Sequence, residues 1–281
     1  MQVVSSRNIK SLNTKKNKML NVDELNAYKV SYGRPLKVKD YVYYVGLPAL
    51  VFGIFSFIVL YYWWLSLIMF VIGAIYGIKV FLPKNIEKNY QTKSFRQRNK
   101  FVNNMTQILT DESKTVTKAL ATATTRANGE FKDDLNILQA KLVGADNQQI
   151  KEGFKWLLSK YDDDVIFVQY MEQLETAMLE GRANTDTLKD IKTYHNEIKE
   201  KQDEYERKKQ GHLKDMKMLC FVVLVFILSV SFSFGFNTYV NDFAHHPTGW
   251  VSCGVYLLLM GQFFRKFSTY LFDDSIMEVK L

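Results

Sequence analysis

The chain has 281 residues, 47% of them hydrophobic, and a formal net charge of +8. That length limits it to one or two domains. The mean hydropathy of −0.14 averages very apolar blocks with very charged ones, so only the block-by-block reading carries information.

The first 40 residues hold nine Lys/Arg against three acids, a local charge of 9 − 3 = +6. They contain no apolar core of a secretory signal, so the first crossing is expected to direct insertion itself. One short helix is expected here, near Val22 to Tyr32. The basic residues sit where anionic cytoplasmic lipid would attract them, which favours lipid over nucleic acid as their partner.

From Tyr41 to Ile78 no Asp, Glu, Lys, Arg or His occurs. One helix over that run would be about 57 Å long, nearly twice the ~30 Å hydrocarbon core of a bilayer. Two crossings are therefore expected within 41–82, with the turn at YYWWLS, residues 61–66. Tyr61, Tyr62, Trp63 and Trp64 would then lie at the outer membrane interface, where rings that are part apolar and part polar are favoured. Trp250 has the same expected role. Gly73 and Gly77 form a G-x-x-x-G that permits close helix approach.

Between the apolar blocks lie residues 84–213, with no proline from Lys84 to His246. A long proline-free interval suits an all-helical domain, because an interior proline costs about 3 kcal/mol. Phe131, Leu135, Leu138 and Leu142 repeat at helical spacing, as do Phe167, Tyr170, Met171, Leu174, Ala177 and Met178. Leu188, Ile191, Tyr194, Ile198 and Tyr205 continue another stripe. Breaks are expected at Asn128 to Glu130, at Gly144 to Asp146, at Asp162 to Asp164, and from Gly181 to Asn184 or Thr185. About six helices result, the first and last running on into the neighbouring apolar segments. The three aspartates are read as a helix cap, and Glu197 to Lys217 as a solvated helix.

A second hairpin is expected over 216–270: one span from Met218 to Asn241, an outer loop at 242–248, and a span from Gly249 to Phe264. The last is short, and Arg265 and Lys266 would snorkel to the interface. Cys220 and Cys253 would lie at opposite depths, too far apart for a disulfide. His245 and His246 are read as a polar loop. A tail, 271–281, closes the chain.

Orientation follows from the cations. Lys79, Lys84, Lys88, Lys93, Arg96, Arg98 and Lys100 follow the second span, and Arg207, Lys208, Lys209, Lys214 and Lys217 precede the third. Neither hairpin tip carries Lys or Arg. All basic flanks, and both termini, can then be cytoplasmic at the cell membrane. The expected fold is an all-α integral membrane protein, with two transmembrane hairpins flanking a cytoplasmic antiparallel helical bundle.

No phosphate-binding loop, serine-nucleophile elbow, zinc-protease signature or C-x-x-C occurs. No catalytic residue, metal ligand or cofactor is expected. The uncharged first hairpin also weakens an ion-coupled transporter reading.

FVNNMTQILTDESKTVTKALATA, beginning at Phe101, is similar to the first helix pair of the type II secretion F-domain family. Val116, Ala119 and Leu120 carry the match, and Asp111-Glu112-Ser113 stand where that family has a glycine. YMEQLETAMLEGRANTDTLKDI, beginning at Tyr170, resembles its later pattern through Gly181, Leu188 and Ile191. The family comprises inner-membrane platform proteins of type II secretion, type IV pili and Tad pili, and the TadB/TadC branch is the nearest in layout. The resemblance implies a non-enzymatic platform that docks a cytoplasmic ATPase and passes its motion to pilin or pseudopilin subunits. It also implies self-association or pairing with a sister platform protein. A membrane sensor or pore, and a scaffold of a conjugation channel, are the alternatives.

Overall fold

The computed structural model describes residues 22–111 and 113–272. The remainder of the basic N-terminal segment, and the expected tail from residue 273, lie outside the described residues. The described residues are helical, with no strand among them. In chain order the helices are α1 (Val22–Ser31), α2 (Val38–Leu60), α3 (Trp63–Leu109), α4 (Val116–Thr125), α5 (Glu130–Leu142), α6 (Asn147–Leu158), α7 (Val165–Glu180), α8 (Thr185–Ser233) and α9 (Pro247–Phe272). They form two compact units. One, the helical unit, comprises residues 22–35 and 87–204; the other, the apolar unit, comprises residues 36–86 and 205–272.

The helical unit has a single large core. Phe131, Leu135 and Leu138 of α5 are fully buried, as are Phe167, Tyr170 and Met171 of α7. They meet Phe101, Val102 and Met105 of α3 and Leu120 of α4. Phe101, Phe131, Tyr161 and Phe167 pack edge to face, ring centroids 5.5–6.3 Å apart, an arrangement aromatic quadrupoles favour.

The helix ends follow their sequence signals. Thr115 caps α4 by accepting the Lys118 N–H. Asp146 and Gln149 form a capping box on α6, and Asp164 caps α7. Gly181 takes the left-handed conformation (φ 73°) that ends α7, and Asn184 accepts the Thr187 N–H at the start of α8. The VIFV run at Val165 to Val168 is helical, inside α7.

Gly129 holds the corner before α5 at φ 66°. A Cβ there would collide with the Ser31 carbonyl and the Tyr32 ring at the end of α1. Gly129→Ala is therefore expected to destabilise the helical unit by about 2 kcal/mol or more. It should also loosen α1, read as faster amide exchange across residues 22–33.

In the apolar unit, α2 and α3 run antiparallel. Gly53 faces Phe70, Gly73 faces Pro48 and Ala49, and Gly77 faces Tyr44 and Val45, so paired residue numbers fall on one helix as they rise on the other. Ser66 Oγ donates to the Gly53 carbonyl at 2.8 Å. The corner is sharper than the six residues expected: α2 ends at Leu60, Tyr61 turns left-handed (φ 53°), and Trp63 already begins α3.

Three helices, α2, α3 and α8, are long and apolar enough to cross a membrane. The fourth expected span, α9, has 26 residues but is not among them, because Gln262, Arg265 and Lys266 dilute it. It also extends to Phe272, past the expected boundary at residue 270. The helix of the third expected span is shorter than its apolar run. α8 stops at Ser233 rather than near Asn241, because Gly235 adopts φ 84°. A short turn and a π-helical segment, Tyr239–Ala244, follow.

Pro83 does not end the helix. α3 continues through it. A π-helical turn, Gly77–Phe81, precedes Pro83, and another, Val42–Gly46, precedes Pro48. The wider turn relieves the clash and the missing N–H that a proline brings to an α-helix.

Candidate functional site

The helical unit contains a buried polar network that joins α3, α7 and α8. Arg98 Nε donates to Asp164 Oδ2 at 2.7 Å, and its Nη1 donates to Ser94 Oγ at 2.7 Å. The guanidinium lies over the rings of Phe95, Tyr161 and Phe167 at 5.1–5.9 Å. His195, fully buried, stacks on Phe95 with centroids 5.0 Å apart. Asn99 Nδ2 lies 2.9 Å from His195 Nδ1 and 2.8 Å from Asn196 Oδ1. An amide N–H facing Nδ1 makes that nitrogen the acceptor and leaves the ring proton on Nε2, 3.5 Å from Asp164 Oδ2. Asn103 and Asn196 exchange two further hydrogen bonds, at 2.8 and 2.9 Å.

Burial alone would raise the Asp164 carboxyl pKa. The Arg98 and His195 groups outweigh it and hold the pKa down at about 2. These residues have the polarity of a catalytic cluster but are enclosed. Arg98, Asn99, Asp164 and His195 are all buried, and they bond to one another, to Ser94 and to Asn196. The network therefore locks three helices together.

A second cluster ties α5 to the loop before α7. Lys160 Nζ reaches Asp134 at 2.6 Å and Glu130 at 2.7 Å, and Tyr161 Oη donates to Asp134 at 2.6 Å. Burial keeps the Asp134 carboxyl above its ordinary range even beside Lys160. Tyr90 Oη donates to Glu130 at 2.8 Å and packs against Tyr28 and Tyr32 of the N-terminal segment.

An open feature of the helical unit is a cavity of about 490 Å³ between the end of α1, α3 and the corner before α5. Lys93, Arg96 and Lys100 line it from one face of α3, with Gln97 between them. Lys93 Nζ donates to the Tyr32 carbonyl at 3.3 Å, and Arg96 pairs with Asp203 at 3.3 Å. Like charges at such spacing repel along a helix, so the stripe presents positive potential to whatever enters.

The residues singled out from sequence fall into four places. Val116, Ala119, Leu120 and Leu188 are buried in the core of the helical unit, with Ile191 partly buried against it. Gly181 is a helix terminator. Gly73 and Gly77 lie at the α2–α3 contact, where a Cβ would come within 2.7–2.9 Å of backbone atoms. Among the aromatics, Tyr62 packs against Trp64 at 5.6 Å and Trp250 at 6.3 Å, and Tyr61 contacts Phe236 and Tyr239. Trp63 stands apart, 74% exposed.

Several expectations change. Arg98, counted as a membrane flank, is a buried partner of Asp164. Asp164 caps α7 as expected but also anchors the ion pair. Tyr194 is exposed while its neighbour His195 is buried, so the apolar stripe of α8 turns polar there. The segment Glu197 to Lys217 is not wholly solvated: Gln202 and Lys209 are buried, and Lys209 lies 4.4 Å from the Tyr205 ring. His245 and His246 lie in a turn, as expected, and His245 also stacks on Tyr62 at 4.2 Å. The expectation that Cys220 and Cys253 form no disulfide holds: both are free thiols. Among the described residues no cluster of His, Cys, Asp and Glu could hold a metal.

No family model matches the chain, and no solved structure matches it. The chain is 58% identical, over 267 residues, to an uncharacterized protein of Bacillus anthracis, pXO2-23. The match covers 95% of this chain and 96% of that protein, so the chain belongs to the same family.

Proposed function

We propose that this chain is a multi-pass, non-enzymatic platform of the cell membrane that couples a cytoplasmic ATPase to the assembly of pilin-like subunits. On this reading α2 with α3, and α8 with α9, form two transmembrane hairpins. The helical unit and both termini face the cytoplasm, where the Lys/Arg-rich flanks belong.

One observation carries the reading: α3 and α8 are each a single helix, of 47 and 49 residues, shared between the apolar unit and the helical unit. Each unit therefore contains part of both helices. The basic cavity beside Lys93, Arg96 and Lys100 offers a docking point for an acidic surface on the ATPase. The resemblance of residues 101–123 and 170–191 to the F-domain pattern supports the same role.

The test is an affinity pull-down of tagged full-length protein from native membranes. A P-loop ATPase and small pilin-like proteins should be recovered, and the ATPase lost when residues 84–213 are deleted. Lys93→Glu with Lys100→Glu should cut ATPase recovery about tenfold or more while leaving the protein in the membrane. Recovery of self-associated chain alone would remove the platform reading and leave a pore or sensor, which conductance in liposomes would test.

A second reading is a scaffold of a conjugation channel. It is favoured by the plasmid-encoded relative and by the basic first 40 residues. Salt-sensitive DNA binding by that segment would support it.

A further inference from the structure

Within the apolar unit, α2, α8 and α9 leave a groove of about 900 Å³ between them. Its walls are apolar: Leu50 and Ile54 from α2, Phe221 and Leu224 from α8, Leu257 and Met260 from α9. The volume falls in the range of ligand sites, about 300–1,000 Å³. Ordered water needs two to four polar partners, and these walls supply almost none. Hydrocarbon suits them.

Two details narrow the occupant. The groove has one charged side chain in its described lining, Lys39, at the end where α2 begins. Along α2 the lining runs from Val38 to Phe55, about 25 Å of helix, more than the ~15 Å depth of one leaflet. An extended chain that starts beside Lys39 therefore stays against apolar wall through its whole leaflet. The groove is also deepened by two glycines that make no close contact with the described residues. A Cβ on Gly261 would meet no atom within 4 Å, and one on Gly46 would meet only Val42 Cγ1, at 3.9 Å. Each glycine lowers helix propensity by about 1 kcal/mol relative to alanine. Unlike Gly73 and Gly77, they leave room for something else.

We propose that this groove binds an anionic phospholipid of the cytoplasmic leaflet, its acyl chains along the apolar walls and its phosphate at Lys39. The proposal rests on the membrane reading above. Charge complementarity selects the headgroup: a lipid of net negative charge gains from Lys39, and a zwitterionic one gains far less.

The experiment is native mass spectrometry of the full-length protein, extracted from membranes in detergent. It is titrated with phosphatidylglycerol or phosphatidylcholine of matched chains. Wild type should retain phosphatidylglycerol about fivefold better than phosphatidylcholine, and Lys39→Gln should erase that preference. Gly46→Leu with Gly261→Leu should fill the groove and abolish retention of both lipids, with the melting temperature no lower than that of wild type. Equal retention of the two lipids, indifferent to either variant, would mean unselective annular lipid and would overturn the proposal. So would a photo-crosslinker at Leu50 that captures a partner helix in native membranes instead of lipid. A chain recovered outside the membrane fraction would overturn the membrane reading together with the proposal, whereas a membrane-embedded chain without headgroup preference would overturn the proposal alone.

Discussion

Asp164→Ala is expected to lower the melting temperature of the full-length protein in detergent by about 10 °C or more, the helical unit unfolding first. Three losses coincide. The Arg98 guanidinium, buried and held at 2.7 Å, is left without its counter-charge. Removing one member of a buried pair costs about 3–5 kcal/mol. α7 loses the side chain that accepts the Phe167 N–H, a cap contributing about 1 kcal/mol. His195 loses the carboxylate that faces its Nε2. Amide exchange across α4 to α7 is the most direct readout. Asp164→Asn keeps a cap and removes the charge, so it should fall between wild type and alanine. Replacing Arg98 and Asp164 together by Met and Leu should recover most of the loss, since an apolar pair of similar volume leaves no charge stranded. An alanine variant that loses no more than the cap would refute the ion pair's role.

The same residue fixes a pH dependence. Its folded pKa of about 2 lies below the ordinary value of about 3.9, which corresponds to about 2 kcal/mol of stability. Because the folded pKa is the lower one, that stability is complete above about pH 4 and is lost as pH falls toward 2. Asp134 acts in the opposite sense: burial raises its pKa, so its contribution weakens as pH rises through the carboxylate range. The acid limb of wild type should therefore flatten in the Asp164→Ala variant, measured as exchange-derived stability between pH 2 and 5.

Helix positions were legible in the sequence because they depend on local signals. The spacing of Phe131, Leu135 and Leu138, the cap at Asp146 and the left-handed Gly181 each act within a few residues. The polar network was not legible, because its members lie far apart in the chain: Arg98, Asp164 and His195 meet only once α3, α7 and α8 have packed. A weak signal was present. His195 and Asn196 interrupt an apolar stripe, and Ser94, Arg98 and Asn99 fall on one face of α3. The cations of α3 misled for a related reason. A lysine on an exposed face and an arginine that fills a core look alike in sequence, and only burial separates Arg98 from Lys100. The π-helical turns before Pro48 and Pro83 were equally hidden, since each prolines's clash is absorbed over the preceding five residues. The groove beside Lys39 was beyond reach as well, because it is lined by helices that lie far apart in the chain.

Gly77→Leu is expected to disrupt the α2–α3 contact, at a cost of about 3 kcal/mol or more. A Cβ at Gly77 would lie 2.8 Å from both the Tyr44 carbonyl oxygen and the Val45 Cα, and one at Gly73 would lie 2.7 Å from the Pro48 carbonyl oxygen. Those neighbours are backbone, and backbone inside two packed helices cannot swing aside as a side-chain tip can. The π-helical turns Val42–Gly46 and Gly77–Phe81 meet at this point, so a displacement at Gly77 disturbs both. Gly73→Leu should behave alike. Gly254→Leu and Gly261→Leu are the matched controls, since a Cβ at either meets nothing within 4 Å. They add the same apolar bulk to an apolar helix and should change stability by no more than about 1 kcal/mol, in the stabilising direction. The yield of full-length protein and the melting temperature in detergent measure the difference. If all four variants fell together, added bulk rather than the α2–α3 contact would be the cause. If only Gly73 and Gly77 fell, close backbone approach is what holds the pair, because leucine changes helix propensity alike at all four sites.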